Sequence, residues 1–515
     1  MVGAHALVVR VTSVGYRPDS GLRRVLRGGV INMLGAAVGA VLNLALIVAI
    51  TRAFSQETAG LLFFATSIFL IMVMVANAGA PDALVYFVTR MRLFGRAGSV
   101  PALLRRTMGP VVLLSVLVSA ALLMFARPLA DALGPEEAAT YLRLLALFLP
   151  FAVLTDTALA TSRAHHDMAP TVLVDKVGRP LAQLALVGMI ALSGSAGLLA
   201  LAWAGPYLPA AVLAWFWLGR IVHRATSDLR SGPEPMPSPC EDEGKRVLAS
   251  TFWAFALPRS LGGVAQMGVQ RGGVVMVALL NGPAGAAVFM AATRLLVVGQ
   301  SITQAVLSAA QPRFTELLAA RDHAGVRSLY QAGTAWLICL TWPLYLSGMV
   351  FAPEVMRLFG AAYAAGATVL MVVCAGQLVA SLLGMGDLVL TMTGRTGLNL
   401  LNNLLSLLVL LGVCALSVPL QGALGAALAL VTAVLVRKVL PLWQLRSVAM
   451  LHPVSRPVLV AAGGALVWFG AIPLMAEAII GGGVSTLVAC LLVGTLGHLT
   501  SVYWLREGLA LKPRR

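Results

Sequence analysis

Fourteen long runs of apolar residues constrain the fold of this chain more than any other feature of its sequence. About 20 apolar residues in a helix span the roughly 30 Å hydrocarbon core of a bilayer. Strand-like alternation, typical of a membrane barrel, is absent from these runs. The sequence therefore predicts an all-α polytopic membrane protein with about 14 transmembrane helices. The runs lie near residues 28–50, 58–79, 108–127, 140–162, 178–194, 197–219, 248–280, 284–309, 333–352, 364–390, 396–416, 421–441, 457–476 and 482–505.

Composition agrees with this prediction. Of the 515 residues, 59% are hydrophobic and only 11% are charged, and the mean hydropathy is +0.89. An ordinary soluble domain does not carry so much apolar sequence. The first apolar run is also too long for the core of a cleavable signal peptide.

Basic residues are distributed unevenly between the loops. Thirty of the 37 lysines and arginines fall in one set of alternate loops, four fall in the opposite set, and three lie inside spans. Cytoplasmic loops carry such an excess, so we expect a multi-pass protein of a bacterial inner (plasma) membrane with both termini in the cytoplasm. This asymmetry also accounts for the net charge of +17 without nucleic acid as a partner.

Short repeated patterns predict two lobes. Ala-Gly pairs at residues 59–60 and 284–285, at 97–98 and 324–325, and the glycines at 134 and 360 recur at offsets of 225–227 residues. Copies of six spans keep the same orientation, so we expect a parallel repeat around a central cavity, with two extra helices. The predicted segments are a cytoplasmic N-terminal segment (1–27), a six-helix lobe (28–222), a proline-rich linker (223–246), a second six-helix lobe (247–441), two additional helices (457–505) and a cytoplasmic tail (506–515).

Three arginines, Arg259, Arg271 and Arg294, lie inside predicted spans. An arginine at the bilayer centre costs about 2.5–3.5 kcal/mol on insertion scales, so such residues face a polar cavity or a partner. Gln266 and Gln270 lie nearby, which favours a wet face that binds an anionic cargo. The alternatives are snorkelling, for Arg271 above all, and pairing with a membrane carboxylate.

Three further residues are candidates for a role in the site. Arg52 closes the first span and is either a cargo ligand or an anchor at the outer interface. Asp156 and Asp387 are the acidic residues deepest in apolar sequence. They are candidate proton or sodium sites for coupling, or counterions to the arginines, and we favour the counterion role slightly.

Motifs for catalysis or metal binding are missing from the sequence. The five cysteines show no paired spacing, and His165-His166-Asp167 has no second cluster of ligands. The sequence has no P-loop and no Ser/His/Asp or Cys/His arrangement. We therefore expect no enzyme activity, no cofactor and no metal.

Short motifs resemble those of polysaccharide flippases in the multidrug/oligosaccharidyl-lipid/polysaccharide exporter superfamily. These motifs are ITRAFSQETAG at 50–60, QPRF at 311–314, LFGAAY at 358–363 and PLQGALGAA at 419–427. The resemblance implies alternating access that moves a lipid-diphosphate-linked oligosaccharide, of the undecaprenyl type, to the outer face. It also implies membrane lipids and a polysaccharide polymerase or glycosyltransferase as partners. Relatives carry an acidic residue late in the seventh span, where this chain has Gln270-Arg271-Gly272, so their coupling mechanism is not carried over.

Three other functions compete with this one. A lipid II flippase for peptidoglycan synthesis has a similar number of spans and a cationic cavity. A drug/cation antiporter of the same superfamily fits less well, because it is expected to have twelve spans and a cavity dominated by carboxylates. A membrane glycosyltransferase or polymerase needs a large outer loop, and every predicted outer loop here is short.

Overall fold

The computed structural model describes the backbone of residues 18–93, 97–131, 133, 137–230, 241–449 and 452–504, and the side chains of slightly fewer. Within these ranges the chain is helical and contains no strand, so the predicted all-α class is confirmed. Residues 1–17, the linker centre at 231–240 and the predicted tail at 506–515 lie outside the described residues. The α-helices are α1 (Pro18–Ala53), α2 (Gln56–Asn77), α3 (Ala80–Leu93), α4 (Val100–Asp131), α5 (Glu137–Ala164), α6 (Arg179–Ser193), α7 (Leu199–Ala204), α8 (Tyr207–Arg230), α9 (Glu241–Asn281), α10 (Pro283–Ala292), α11 (Arg294–Ala319), α12 (His323–Val350), α13 (Ala352–Arg357), α14 (Ala367–Leu382), α15 (Gly386–Met392), α16 (Thr396–Gln421), α17 (Ala423–Ala449), α18 (Arg456–Leu466), α19 (Ile472–Ile480) and α20 (Val484–Trp504).

Thirteen segments of the described chain are long and apolar enough to cross a membrane. They coincide with thirteen of the fourteen predicted runs. The remaining run, at 178–194, forms α6, which has only 15 residues. A π-helix of eight residues, Thr171–Gly178, leads directly into α6, and together they give a continuous helix of spanning length.

Two spans are interrupted. After α2, Ala78 and Gly79 adopt the left-handed conformation, with φ of 47° and 73°, and the chain continues as the shorter helix α3. The eighth span breaks between α10 and α11, where the Thr293 hydroxyl bonds to the carbonyls of Phe289 and Met290. Arg294 is therefore the first residue of α11.

The helices pack into two groups that meet along α2. In the first group α5 contacts α2, α4 and α8, and in the second α16 and α14 both pack on α17. Between the groups, α2 contacts both α9 and α10. The approach to α10 depends on Gly60, because a Cβ there would lie 1.8 Å from the carbonyl oxygen of Pro283. Helices α18 and α20 add to the second group through α12.

Candidate functional site

A cavity of about 360 Å³ lies between the two groups of helices. Its walls come from α2, the start of α3, α5, the π-helix and α9. It lies on the side where the predicted cytoplasmic loops are. The lining residues are Met74, Asn77, Gly79, Pro81, Asp82, Asp156, Leu159, Arg163, Asp175, Arg259, Ser260, Gly263, Gln266, Met267 and Gln270.

Helix α9 contributes one continuous face to this cavity. Its lining residues recur every three to four positions from 259 to 270, which is the period of an α-helix. Eleven residues span about 16 Å along the axis. Pro258 precedes this face, yet α9 continues through it without a break. The predicted companions Gln266 and Gln270 both line the cavity, whereas Gln300 and Gln304 do not.

Arg259 lies at the end of the cavity farthest from Arg271. Its side chain is exposed, and its guanidinium lies over the ring of Phe255 at 4.7 Å. That ring also stacks on Tyr86 of α3, with 4.6 Å between centroids. Arg259 therefore belongs to the mouth of the cavity, where α3 and α9 touch.

Arg271 and Arg294 meet at one methionine, away from the cavity lining. Arg271 Nη1 lies 3.8 Å from Met290 Sδ and Arg294 Nη2 lies 2.8 Å from it, so these two nitrogens are at most 6.6 Å apart, the sum of the two distances. Arg294 Nε also donates to the Met290 carbonyl at 3.1 Å. Within the described side chains, neither guanidinium has an ion pair with a carboxylate.

The depth of this pair follows from the helix geometry. Arg271 lies ten residues before the end of α9, and Arg294 lies eleven residues after the start of α10. At 1.5 Å per residue both are about 15–16 Å from the turn that joins the two helices, near the middle of a bilayer. Arg271 thus contacts Met290 at depth rather than reaching the nearer interface.

Two aspartates of the cavity are held by polar partners. Asn77 Nδ2 donates to Asp156 Oδ2 at 2.8 Å, and Arg179 Nη2 lies 2.8 Å from Asp175 Oδ1. Asp156 is therefore not the counterion of Arg259, Arg271 or Arg294 in this structure. The Asn77 side chain is buried, and its Oδ1 has no hydrogen-bond partner.

Arg179 and Tyr207 connect the cavity to the arginine pair. The Arg179 guanidinium lies 4.9 Å from the centre of the Tyr207 ring, and Tyr207 lies within electrostatic range of Arg271. Sequence reasoning assigned Arg179 to a cytoplasmic loop, whereas it is the first residue of α6 and its side chain is 15% exposed. The spacing of Asp175, Arg179 and Gln183, four residues apart, is the signal that places them on one helical face.

Asp387 lies in the second group of helices and pairs with a lysine. Lys438 Nζ lies 3.2 Å from Asp387 Oδ1 and 3.3 Å from the Gly384 carbonyl. Both side chains are largely buried, at 10% and 21% exposure. Asp387 is a counterion, but of Lys438 rather than of the three membrane arginines.

Arg52 lies far from the cavity, at the opposite end of the spans. Its Nε donates to the Leu358 carbonyl at 2.7 Å and its Nη2 to the Arg357 carbonyl at 3.2 Å. Gln56 Nε2 donates to the Ala362 carbonyl at 3.0 Å in the same region. These bonds join the first group of helices to the second on the predicted outer side. This geometry is that of an anchor.

Solved structures with the same fold are membrane transporters. A multidrug resistance MATE family transporter of the MOP superfamily, in an inward-facing conformation, superposes with a TM-score of 0.64 at 14% identity, over 81% of this chain and 97% of the transporter. The lipid II flippase MurJ, in an inward closed conformation, gives a TM-score of 0.66 at 11% identity, over 94% and 99%. A MOP superfamily transporter from Pyrococcus furiosus gives 0.56 at 16% identity, over 82% and 95%.

The sequence itself matches one family. No curated protein sequence matches the chain. The family model described as polysaccharide biosynthesis protein matches residues 25–318, more than half of the chain. The chain therefore belongs to the polysaccharide biosynthesis protein family and has the fold of the MOP superfamily transporters.

Proposed function

We propose that this protein is a flippase that moves a lipid-diphosphate-linked oligosaccharide from the inner to the outer leaflet of a bacterial plasma membrane, for the synthesis of a cell-surface polysaccharide. The lobes at 28–222 and 247–441 alternate access to the cavity between them. The cargo lipid is of the undecaprenyl type, and both termini face the cytoplasm. A polysaccharide polymerase or glycosyltransferase supplies or receives the cargo.

The observation that carries this proposal is the pair of guanidinium groups at Met290. Two cations within 6.6 Å of each other, near mid-bilayer and with no carboxylate paired to them among the described side chains, are unfavourable without an anion. A thioether is only a weak acceptor. A diphosphate supplies two or more negative charges and the oxygens that arginine forks bind in bidentate fashion.

The cavity gives such a cargo a route to the pair. It runs from the mouth at Arg259 to Gln270, which precedes Arg271 in α9. A headgroup that entered at the predicted cytoplasmic side would reach mid-bilayer depth by moving along this face. The outer side is closed over the pair by the contacts of Arg52, Gln56 and Gly60.

The membrane potential assists this direction of movement. About two negative charges that leave an inside-negative cell gain about 4–5 kcal/mol per 100 mV. We expect outward flipping in proteoliposomes to speed up when an inside-negative potential is imposed. Flipping that ignores the potential, with no compensating ion movement, contradicts this expectation.

The two membrane aspartates have different roles in this proposal. Asp387 is occupied by Lys438 and serves the structure of the second lobe. Asp156 lines the cavity and is the better candidate for a group that takes up a proton or sodium ion when the carrier resets. Replacing Asp156 by Asn should slow turnover and remove its dependence on a proton or sodium gradient. The matched change Asp387→Asn should leave that dependence unaltered.

The test in cells is accumulation of the cargo lipid. Depletion of the protein should cause undecaprenyl-linked intermediates to accumulate on the inner side, and the wild-type gene should clear them. Genes that encode Arg271→Gln and Arg294→Gln should fail to clear them, whereas Arg143→Gln, an exposed arginine remote from the cavity, should succeed. Normal export by both membrane-arginine variants would remove them as cargo ligands.

A lipid II flippase is the second candidate. The observation that favours it is coverage, because MurJ aligns over 94% of this chain and the MATE transporter over 81%. The discriminating experiment is rescue of cells depleted of their lipid II flippase. Growth on expression of this chain supports the second candidate, and lysis with normal protein levels supports the first.

A further inference from the structure

The charges that line the cavity differ in sign from the arginine pair beyond it. Asp82, Asp156 and Asp175 contribute three carboxylates, against the guanidiniums of Arg163 and Arg259. Arg179 already pairs with Asp175. Among the described side chains, Asp82 and Asp156 have no cation within 4.0 Å. This wall repels a diphosphate, since like charges at short range in a low dielectric are strongly unfavourable.

One buried atom indicates what the cavity binds instead. Asn77 is only 3% exposed, lines the cavity, and gives its Nδ2 hydrogen to Asp156. Its Oδ1 accepts no hydrogen bond. A buried acceptor without a donor is costly, and a diphosphate oxygen has no hydrogen to offer. A hydroxyl or amide group of a sugar does.

The remaining polar groups fit the same ligand. Gln266, Gln270 and Ser260 each combine a donor and an acceptor along α9. Sugar hydroxyls both donate and accept, so they match such a wall. The volume of about 360 Å³ lies within the usual range for small-molecule sites.

We infer that the cavity is a sugar compartment, separate from the arginine pair, and that it selects neutral or amino sugars over acidic sugars. This inference rests on the proposed function, in which Arg271 and Arg294 hold the diphosphate. Gln270 is next to Arg271 in α9, so a sugar attached to a diphosphate at the pair extends into the cavity. A uronic acid there would face Asp82 and Asp156, whereas an amino or acetamido group would donate to them.

The test measures binding of three short-chain probes to the full chain in nanodiscs. The probes are farnesyl diphosphate, its N-acetylglucosamine conjugate and its glucuronic acid conjugate. We expect the N-acetylglucosamine probe to bind at least about tenfold more tightly than the glucuronic acid probe. The double change Asp82→Asn with Asp156→Asn should reduce this ratio to about threefold or less. Glu316→Gln is the control, because this exposed carboxylate does not line the cavity and its loss should leave the ratio unchanged.

A second variant addresses the buried amide. Asn77→Leu removes the acceptor and should weaken the N-acetylglucosamine probe about tenfold without affecting farnesyl diphosphate. Equal or tighter binding of the glucuronic acid probe by the wild type overturns the inference. Equal losses for all three probes in Asn77→Leu also overturn it.

The proposed function has a separate readout in the same experiment. The double change Arg271→Gln with Arg294→Gln should weaken all three probes, farnesyl diphosphate included. If farnesyl diphosphate binds the double variant as tightly as the wild type, the diphosphate site is wrong, and the sugar compartment loses its basis. If only the sugar selectivity is missing, the diphosphate site stands and the compartment does not.

Discussion

Arg271 and Arg294 come together because they lie at matching distances from the turn between α9 and α10. The sequence contained this information, since Gly282-Pro283 marks a turn and two antiparallel helices bring equidistant residues to the same depth. It did not reveal Met290 as the residue between them. Side-chain contacts across helices depend on rotation about each axis, and several-residue errors in boundaries leave that rotation undetermined.

Asp156 and Asp387 show the same limit at residue scale. The sequence identified both as unusual because a carboxylate in apolar sequence needs a partner. It did not identify the partners, Asn77 and Lys438, which lie 79 and 51 residues away. Lys438 falls at the end of a predicted span, where hydropathy alone marks it as a loop residue.

The buried pair of Asp387 and Lys438 gives a stability prediction. Removing one partner leaves an uncompensated buried charge, which costs about 3–5 kcal/mol. We expect Lys438→Met and Asp387→Leu each to lower the melting temperature in detergent clearly. The double variant should melt close to the wild type, because hydrophobic replacement of a whole pair is often neutral. A double variant that melts as low as the sum of the single changes would contradict a structural role for the pair.

At the scale of single elements, hydropathy located the spans because the bilayer requires continuous apolar helices. The interruptions were harder to predict. The break before Arg294 and the left-handed turn at Ala78-Gly79 depend on packing against other helices. The 178–194 run was predicted as a short span, and the π-helix at Thr171–Gly178 that lengthens it carries Asp175 and Lys176, which read as loop residues.

The contact between α2 and α10 gives a prediction at this scale. A Cβ at Gly60 would overlap the Pro283 carbonyl, and overpacking of this kind costs about 1–3 kcal/mol. We expect Gly60→Ala to lower the melting temperature and to increase reagent access to the outer side.

The matched control for this change is Gly412→Ala. Gly412 lies in α16 with nothing within 4 Å of its Cβ position. Alanine favours a helix over glycine by about 1 kcal/mol, so the control should melt at or above the wild-type temperature. Equal effects of the two substitutions would show that the close approach of α2 and α10 does not matter.

At the scale of the whole molecule, the two groups of helices are joined on the predicted outer side by bonds from Arg52 and Gln56. Arg52 was predicted either as a cargo ligand or as an anchor, and its contacts with the Arg357 and Leu358 carbonyls favour the anchor. Alternating access requires these bonds to break in each cycle. The lobes themselves were predicted from offsets of 225–227 residues, and α2 and α10 begin at Gln56 and Pro283, an offset of 227.

A reversible cross-link tests this requirement. Gln56→Cys with Ala362→Cys replaces two residues whose side-chain amide and carbonyl are 3.0 Å apart. A short thiol-specific bifunctional reagent should stop transport, and a reducing agent should restore it. The single-cysteine variants serve as controls and should transport throughout. Full transport by the cross-linked protein would mean that the outer contacts do not open during the cycle.

The most direct test of the arginine pair is transbilayer movement of a lipid-diphosphate-linked sugar in proteoliposomes. The rate is measured for the wild type, for Arg271→Gln with Arg294→Gln, and for Arg143→Gln, in vesicles with equal amounts of folded protein. Loss of two diphosphate ligands, each a charge-assisted contact of about 1.5–3 kcal/mol, predicts a rate at least about a hundredfold below the wild type for the double variant and an unchanged rate for Arg143→Gln. Movement by the double variant at the wild-type rate would contradict the assignment of Arg271 and Arg294 as the site that binds the anionic cargo.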